Sequence, residues 1–243
     1  MFPAKSQVVA SEEGNMNRVW RAGCAVLGLL ALSGSAFAYR LILDPTIDVL
    51  PDGVYKLELP AIKNDHGSGN WLPYYRADLG LPGNVEIGFR TGNNIGHLDP
   101  KEASANVQWM ISKETESFPG YGIGVWNLYD SDMYAANKTS LFGGFYKTFP
   151  SPWPINPWKV ELEVGNQQLD GLFGGVAIPV GRDVNFAAEY TPYPSVGKSL
   201  LQPGDTNHLT MAVGWNYTPN IRFKLADAGG DIGYSIVYTN RIK

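Results

Sequence analysis

Cysteine is almost absent. Cys24 is the chain's one thiol, which excludes an internal disulfide and a four-cysteine zinc site. An excess of positive charge is also missing: 19 Lys and Arg face 23 Asp and Glu, for a formal net charge of −4. A nucleic-acid binder would show a basic field, so nucleic acid is not an expected partner. Histidine occurs only at His66, His97 and His208, with no His-x-x-x-His pair, and neither a G-x-S-x-G nor a Walker pattern is present. These lacks leave no catalytic residue, cofactor or metal site to nominate. Aromatic residues are not scarce. At 12% of the chain they are too many for a disordered polymer.

A long apolar run is missing as well. Residues 24–32 fall short of the roughly 20 apolar residues a spanning helix needs. Their setting is that of an export signal. Residues 16–38 read MNRVWRAGCAVLGLLALSGSAFA, with Arg18 and Arg21 as a positive flank and Ala36-Phe37-Ala38 as a cleavage signal. The expectation is an N-terminal extension and signal peptide over residues 1–38, starting at Met16 and cut after Ala38, followed by one domain over 39–243. Cleavage removes the only thiol and leaves 16 basic and 21 acidic side chains.

Beyond residue 38 no helical periodicity is evident; apolar residues alternate with polar or glycine residues instead. The stretches are 54–60, 74–81, 84–91, 104–113, 121–129, 139–148, 158–166, 170–180, 184–191, 208–217, 220–227 and 232–239. The clearest is 158–166, where Trp158, Val160, Leu162 and Val164 alternate with Lys159, Glu161, Glu163 and Gly165. In 139–148 both faces carry aromatics, so its facing stays open. Twelve such stretches of this length match tilted strands that cross a membrane in roughly 9–11 residues. Turns such as Pro82-Gly83, 181–183 and Thr218-Pro219 are short, whereas the alternate links, such as 61–73, 92–103 and 192–207, are mostly longer. Short periplasmic turns and long outer loops are the outer-membrane pattern.

The expected fold is all-β: a single up-and-down antiparallel transmembrane β-barrel of about 12 strands, with both termini periplasmic. Arg76, Asp78, Glu86, Arg90, Lys159, Glu161, Glu163, Glu189, Arg222 and Lys224 then face the lumen, because an outward Arg or Lys at the membrane midplane costs about 2–4 kcal/mol. Tyr75, Tyr121, Tyr129, Trp158, Tyr190, Trp215, Tyr217 and Tyr238 fall near strand ends, where interfacial girdles sit. Glu161 and Glu163 read as rungs of an interior charge ladder. A glycosidase pair would need a cleft and a set carboxylate separation.

The function expected from this pattern is an outer-membrane barrel without catalytic activity, with membrane lipid as its surroundings. It is a narrow pore unless Trp126, Phe142, Phe173 and the paired charges occlude it. Two alternatives explain the alternation. One is a soluble exported β-sandwich, in the periplasm or the medium, that binds carbohydrate through Trp153 and Trp158. The other is a barrel enzyme acting on lipid or sugar, for which His208 is the one candidate.

Six segments in order carry a family resemblance: 45–59 (PTIDVLPDGVYKLEL), 84–90 (NVEIGFR), 106–119 (NVQWMISKETESFP), 121–125 (YGIGV), 172–179 (LFGGVAIP) and 184–190 (VNFAAEY). The chain resembles the YjbH-like family of bacterial outer-membrane β-barrel proteins over most of residues 45–240. The most specific stretch is Ile111-Ser112-Lys113-Glu114 followed by Phe118-Pro119 and a glycine-rich strand. The resemblance implies a barrel associated with exopolysaccharide production or secretion, with polysaccharide or an export apparatus as partner. It supplies no catalytic residues.

Overall fold

A computed structural model describes residues 46–63, 71–73, 75–91, 103–128, 138–150, 157–190, 209–228 and 231–242. The expected leader, Tyr129, Trp153 and the three histidines lie outside the described residues. Among the described residues thirteen strands follow one another: β1 (Val54–Lys63), β2 (Trp71–Pro73), β3 (Tyr75–Leu81), β4 (Val85–Thr91), β5 (Ala103–Ser112), β6 (Gly120–Trp126), β7 (Ser140–Phe149), β8 (Trp158–Gly165), β9 (Gly171–Pro179), β10 (Val184–Tyr190), β11 (Leu209–Asn216), β12 (Ile221–Ala228) and β13 (Asp231–Arg241). A single 3-10 turn, Gln167–Leu169, lies between β8 and β9.

From β3 to β13 each strand pairs antiparallel with the next, β3 pairs with β1, and β13 pairs back onto β1, so the sheet closes on itself. β2 and β3 both pair with β1 in one register, Ala61 opposite Pro73 and Glu58 opposite Arg76. They are two pieces of one wall strand, which makes the ring twelve strands round. Pro60, which has no N–H to give, lies between the two paired stretches. The closed ring is the expected barrel. The stacked-sheet alternative would leave free edges, and β1 and β13 do not.

Alternation decides which side chains face out. Leu57, Leu59, Phe89, Trp109, Leu141, Phe145, Leu162, Val213 and Leu225 are all exposed on the outer wall. Their neighbours in sequence, such as Lys56, Glu58, Arg90, Gln108, Glu161 and Glu163, are buried inside. This inverts a water-soluble protein, whose apolar residues fill the core. Among the described residues no helix is long and apolar enough to cross a membrane.

β7, whose facing the sequence left open, turns Leu141 and Phe145 outward and Phe142 and Tyr146 inward. Glycines on the adjacent strand make room. Gly124 is the register partner of Phe142, and Gly120 that of Tyr146. A Cβ on Gly124 would lie 2.3 Å from the Phe142 ring, and one on Gly120 would lie 2.2 Å from the Tyr146 ring. The glycine face of Gly120–Trp126 is therefore a seat for rings, not a flexible stretch.

Val54 pairs with Arg241, and the Ile242 N–H donates to the Gly53 carbonyl at 2.8 Å, so both ends of the wall meet on one rim. The tight turns at 82–84, 181–183 and 217–220 open onto that same rim. Ahead of β1, Pro51-Asp52-Gly53 reverses the chain. The Val54 N–H donates to the Pro51 carbonyl at 3.0 Å, and Gly53 takes φ +70°, the sign a type II turn gives its third residue. Upstream of that turn, residues 46–50 run inside the ring.

Candidate functional site

Among the described residues, buried charge is concentrated in the lumen. Of the ten charged side chains singled out from the sequence, nine are buried and Lys224 is of intermediate exposure. They form groups. On β1, β3 and β12, Lys56 meets Asp78 at 2.9 Å and Arg76 meets the same carboxylate at 2.8 Å. Glu58 lies 3.5 Å from Arg76, takes the Lys224 ammonium at 2.9 Å and accepts a hydrogen bond from Ser235 at 2.9 Å. Three cations and two carboxylates thus interlock across the ring closure. On β8, Lys159 pairs with Glu161 at 2.9 Å and with Asp48 of the N-terminal segment. Glu86 accepts from the Leu50 N–H at 2.8 Å and from Gln108 Nε2 at 3.3 Å. The Arg222 guanidinium donates to Asn216 Oδ1 at 2.6 Å.

Apolar side chains fill much of the remaining interior. Ile47, Val49, Met110, Trp126, Phe142, Tyr146, Leu169 and Phe173 form one buried cluster. The three residues expected to occlude a pore, Trp126, Phe142 and Phe173, all belong to it. Phe142 and Phe173 pack with ring centroids 6.3 Å apart, and the Arg90 guanidinium lies 4.3 Å from the centre of the Trp126 ring. The Lys159 ammonium sits 4.7 Å over Tyr146. Cations stacked on aromatic faces keep part of their stabilisation away from bulk water.

Filling is uneven around the ring. On β3 to β5, inward Asp78, Glu86, Asn106 and Gln108 are 1–2% exposed. On β9 and β10, inward Phe173 and Glu189 are equally covered, whereas the small residues Gly175, Ala177, Asn185 and Ala187 keep intermediate exposure.

Sequence reading missed the N-terminal segment and two charges. Lys56 and Glu58 carry the same alternation as the other lumen charges, against Tyr55, Leu57 and Leu59, so their signal was present. Residues 46–50 gave none, because they join no strand; their partners are side chains far along the chain. Ile47, Val49 and Leu50 are 0%, 5% and 2% exposed. Burying each is worth about 1.5–3 kcal/mol. Ordering a residue costs roughly 1–2 kcal/mol, and there are five of them. The two totals are similar, so the polar contacts of Asp48 and Leu50 decide whether the segment stays.

Among the described residues, Tyr121, Trp158, Trp215, Tyr217 and Tyr238 lie on the outer side near strand ends, on the rim that carries the tight turns. There Trp215 stacks on Phe223 at 5.9 Å with Tyr217 edge-on at 5.5 Å, and Phe149 stacks on Trp158 at 4.8 Å. Tyr55 with Tyr238 and Tyr121 with Phe145 extend this belt. Tyr75 and Tyr190 stand toward the opposite rim. Among the described residues no three His, Cys, Asp or Glu side chains converge as a metal site would require.

No family model matches the chain, and no curated protein matches it. Among solved structures it is similar to a KdgM porin, with a TM-score of 0.43 and 7% identity over 78% of this chain and 99% of that one. It is similar also to a KdgM porin in complex with disordered oligogalacturonate, with a TM-score of 0.44, 6% identity and the same coverage. The closure of this chain's own ring stands on the β13–β1 pairing.

Proposed function

We propose that this chain is a non-enzymatic outer-membrane β-barrel with a narrow, largely filled lumen. The observation that carries this reading is the sorting of side chains by the closed ring: aliphatic and aromatic rows outside, paired charges within. Such a surface in water would expose far more contiguous apolar area than a soluble monomer tolerates. In lipid it is the expected surface, and ring closure satisfies every wall strand's backbone groups. The export signal expected at residues 1–38 supports delivery to the outer membrane. The aromatic belt on the tight-turn rim fits the periplasmic interface. The resemblance to the YjbH-like family adds exopolysaccharide production or secretion as the process served, with the barrel as an accessory to export.

Cell fractionation tests the location. The protein is expected in the outer-membrane pellet, extractable only with detergent, and its unboiled form should migrate differently from the boiled form on a gel. Recovery in the soluble periplasm without detergent would overturn the membrane reading.

A further inference from the structure

The segment inside the lumen differs from the wall around it. Each wall strand is bound by backbone ladders on both sides, whereas residues 46–50 belong to no strand. Their hold is made of Ile47 and Val49 in the apolar cluster, the Asp48–Lys159 ion pair and the Leu50 N–H on Glu86. Removing the segment strands neither of these charged partners. Lys159 retains Glu161 at 2.9 Å, and Glu86 retains Gln108 at 3.3 Å. A buried charge left alone would forbid such a movement, and here the wall supplies the replacement.

Gly80 points to the same conclusion. It sits in the wall with its missing side chain aimed inward, and its φ lies outside the left-handed region. The strand itself would therefore accept a side chain there. The end of the segment and the first residue of the turn after it would not: a Cβ on Gly80 would lie 2.2 Å from the Pro51 carbonyl oxygen and 2.4 Å from that of Leu50. The three atoms nearest to that Cβ all belong to Leu50 and Pro51, where the segment meets the turn before β1, and none to the neighbouring strands.

From these observations we infer that residues 46–50 are a displaceable plug with which the barrel closes its own lumen, and that the lumen conducts once they leave. This rests on the membrane-barrel reading above, and the test separates the two. The chain's one natural cysteine lies in the expected leader, so a Val49→Cys thiol can be followed alone with a membrane-impermeant maleimide. In the folded, boil-shifted protein this thiol should be protected. Adding Gly80→Val should speed its labelling at least tenfold and raise conductance in planar bilayers above that of the parent. Protein lacking residues 39–51, which takes both clashing carbonyls with it, poses the same question without altering the wall. It should keep the gel shift and conduct, and Gly80→Val should add nothing in that background.

The plug is overturned if the Val49→Cys thiol in folded protein reacts as fast as after boiling. A truncated barrel that folds but conducts no better than the parent overturns it too. So does a truncated chain that no longer folds, because the segment would then be a fixed part of the structure. Loss of the boil-dependent shift in the unsubstituted protein would strike the membrane-barrel reading instead.

Discussion

Replacing Asp78 with alanine should destabilise the barrel by about 3–5 kcal/mol, the range for breaking a buried ion pair from one side. The Asp78 side chain is fully covered and is shared by Lys56 at 2.9 Å and Arg76 at 2.8 Å. Alanine leaves both cations inside the ring, with Glu58 near Arg76 as a remaining acid. A lower urea midpoint for the protein folded in detergent micelles would report the loss. Pairing Lys56→Met with Asp78→Leu should recover much of it, because the worst-placed cation goes with its partner. A cost below about 1 kcal/mol would mean that lumen water screens these charges as it does at a surface, and the interior would then be wetter than the burial of Asp78, Glu86 and Gln108 indicates.

Leu162→Arg is the second large effect. Leu162 sits mid-strand in β8, 50% exposed on the outer wall, flanked in sequence by the buried Glu161 and Glu163. If the wall faces hydrocarbon, an arginine there costs about 2–4 kcal/mol. The loss should appear as lower folding yield into lipid vesicles. Val213→Arg on β11, at a similar exposure, should behave alike. A half-exposed leucine on a water-soluble protein would accept arginine within about 0.5 kcal/mol, so the sign of the outer surface is read directly.

The wall was legible because its code is local. In Trp158–Gly165 every second residue changes character, and a period of two fixes both the strand and its facing. The charge rows followed from the same rule, since Arg76, Asp78, Glu161 and Arg222 each sit between outward residues. Legibility failed where partners are distant. In β7, Phe142 and Tyr146 look as lipophilic as Leu141 and Phe145, and only Gly120 and Gly124 on the neighbouring strand show which pair turns in. Pro60 marked the end of a strand to local reading, yet β1 continues to Lys63, paired with β13 as far as Ile62 and with β2 over Ala61–Lys63. Residues 46–50 form no ladder, and nothing nearby in sequence announces Lys159, Glu86 or Gly80 as their contacts.

The most direct measurement of the outer wall uses tryptophan fluorescence in lipid. Trp109 and Trp215 are 47% and 48% exposed on the outside, and Trp126 is fully covered in the lumen. Single-tryptophan variants folded into vesicles of brominated phospholipid should show strong quenching at Trp109 and Trp215 and little at Trp126. Quenching of Trp109 and Trp215 by aqueous iodide, with brominated lipid leaving them unaffected, would contradict a lipid-facing wall.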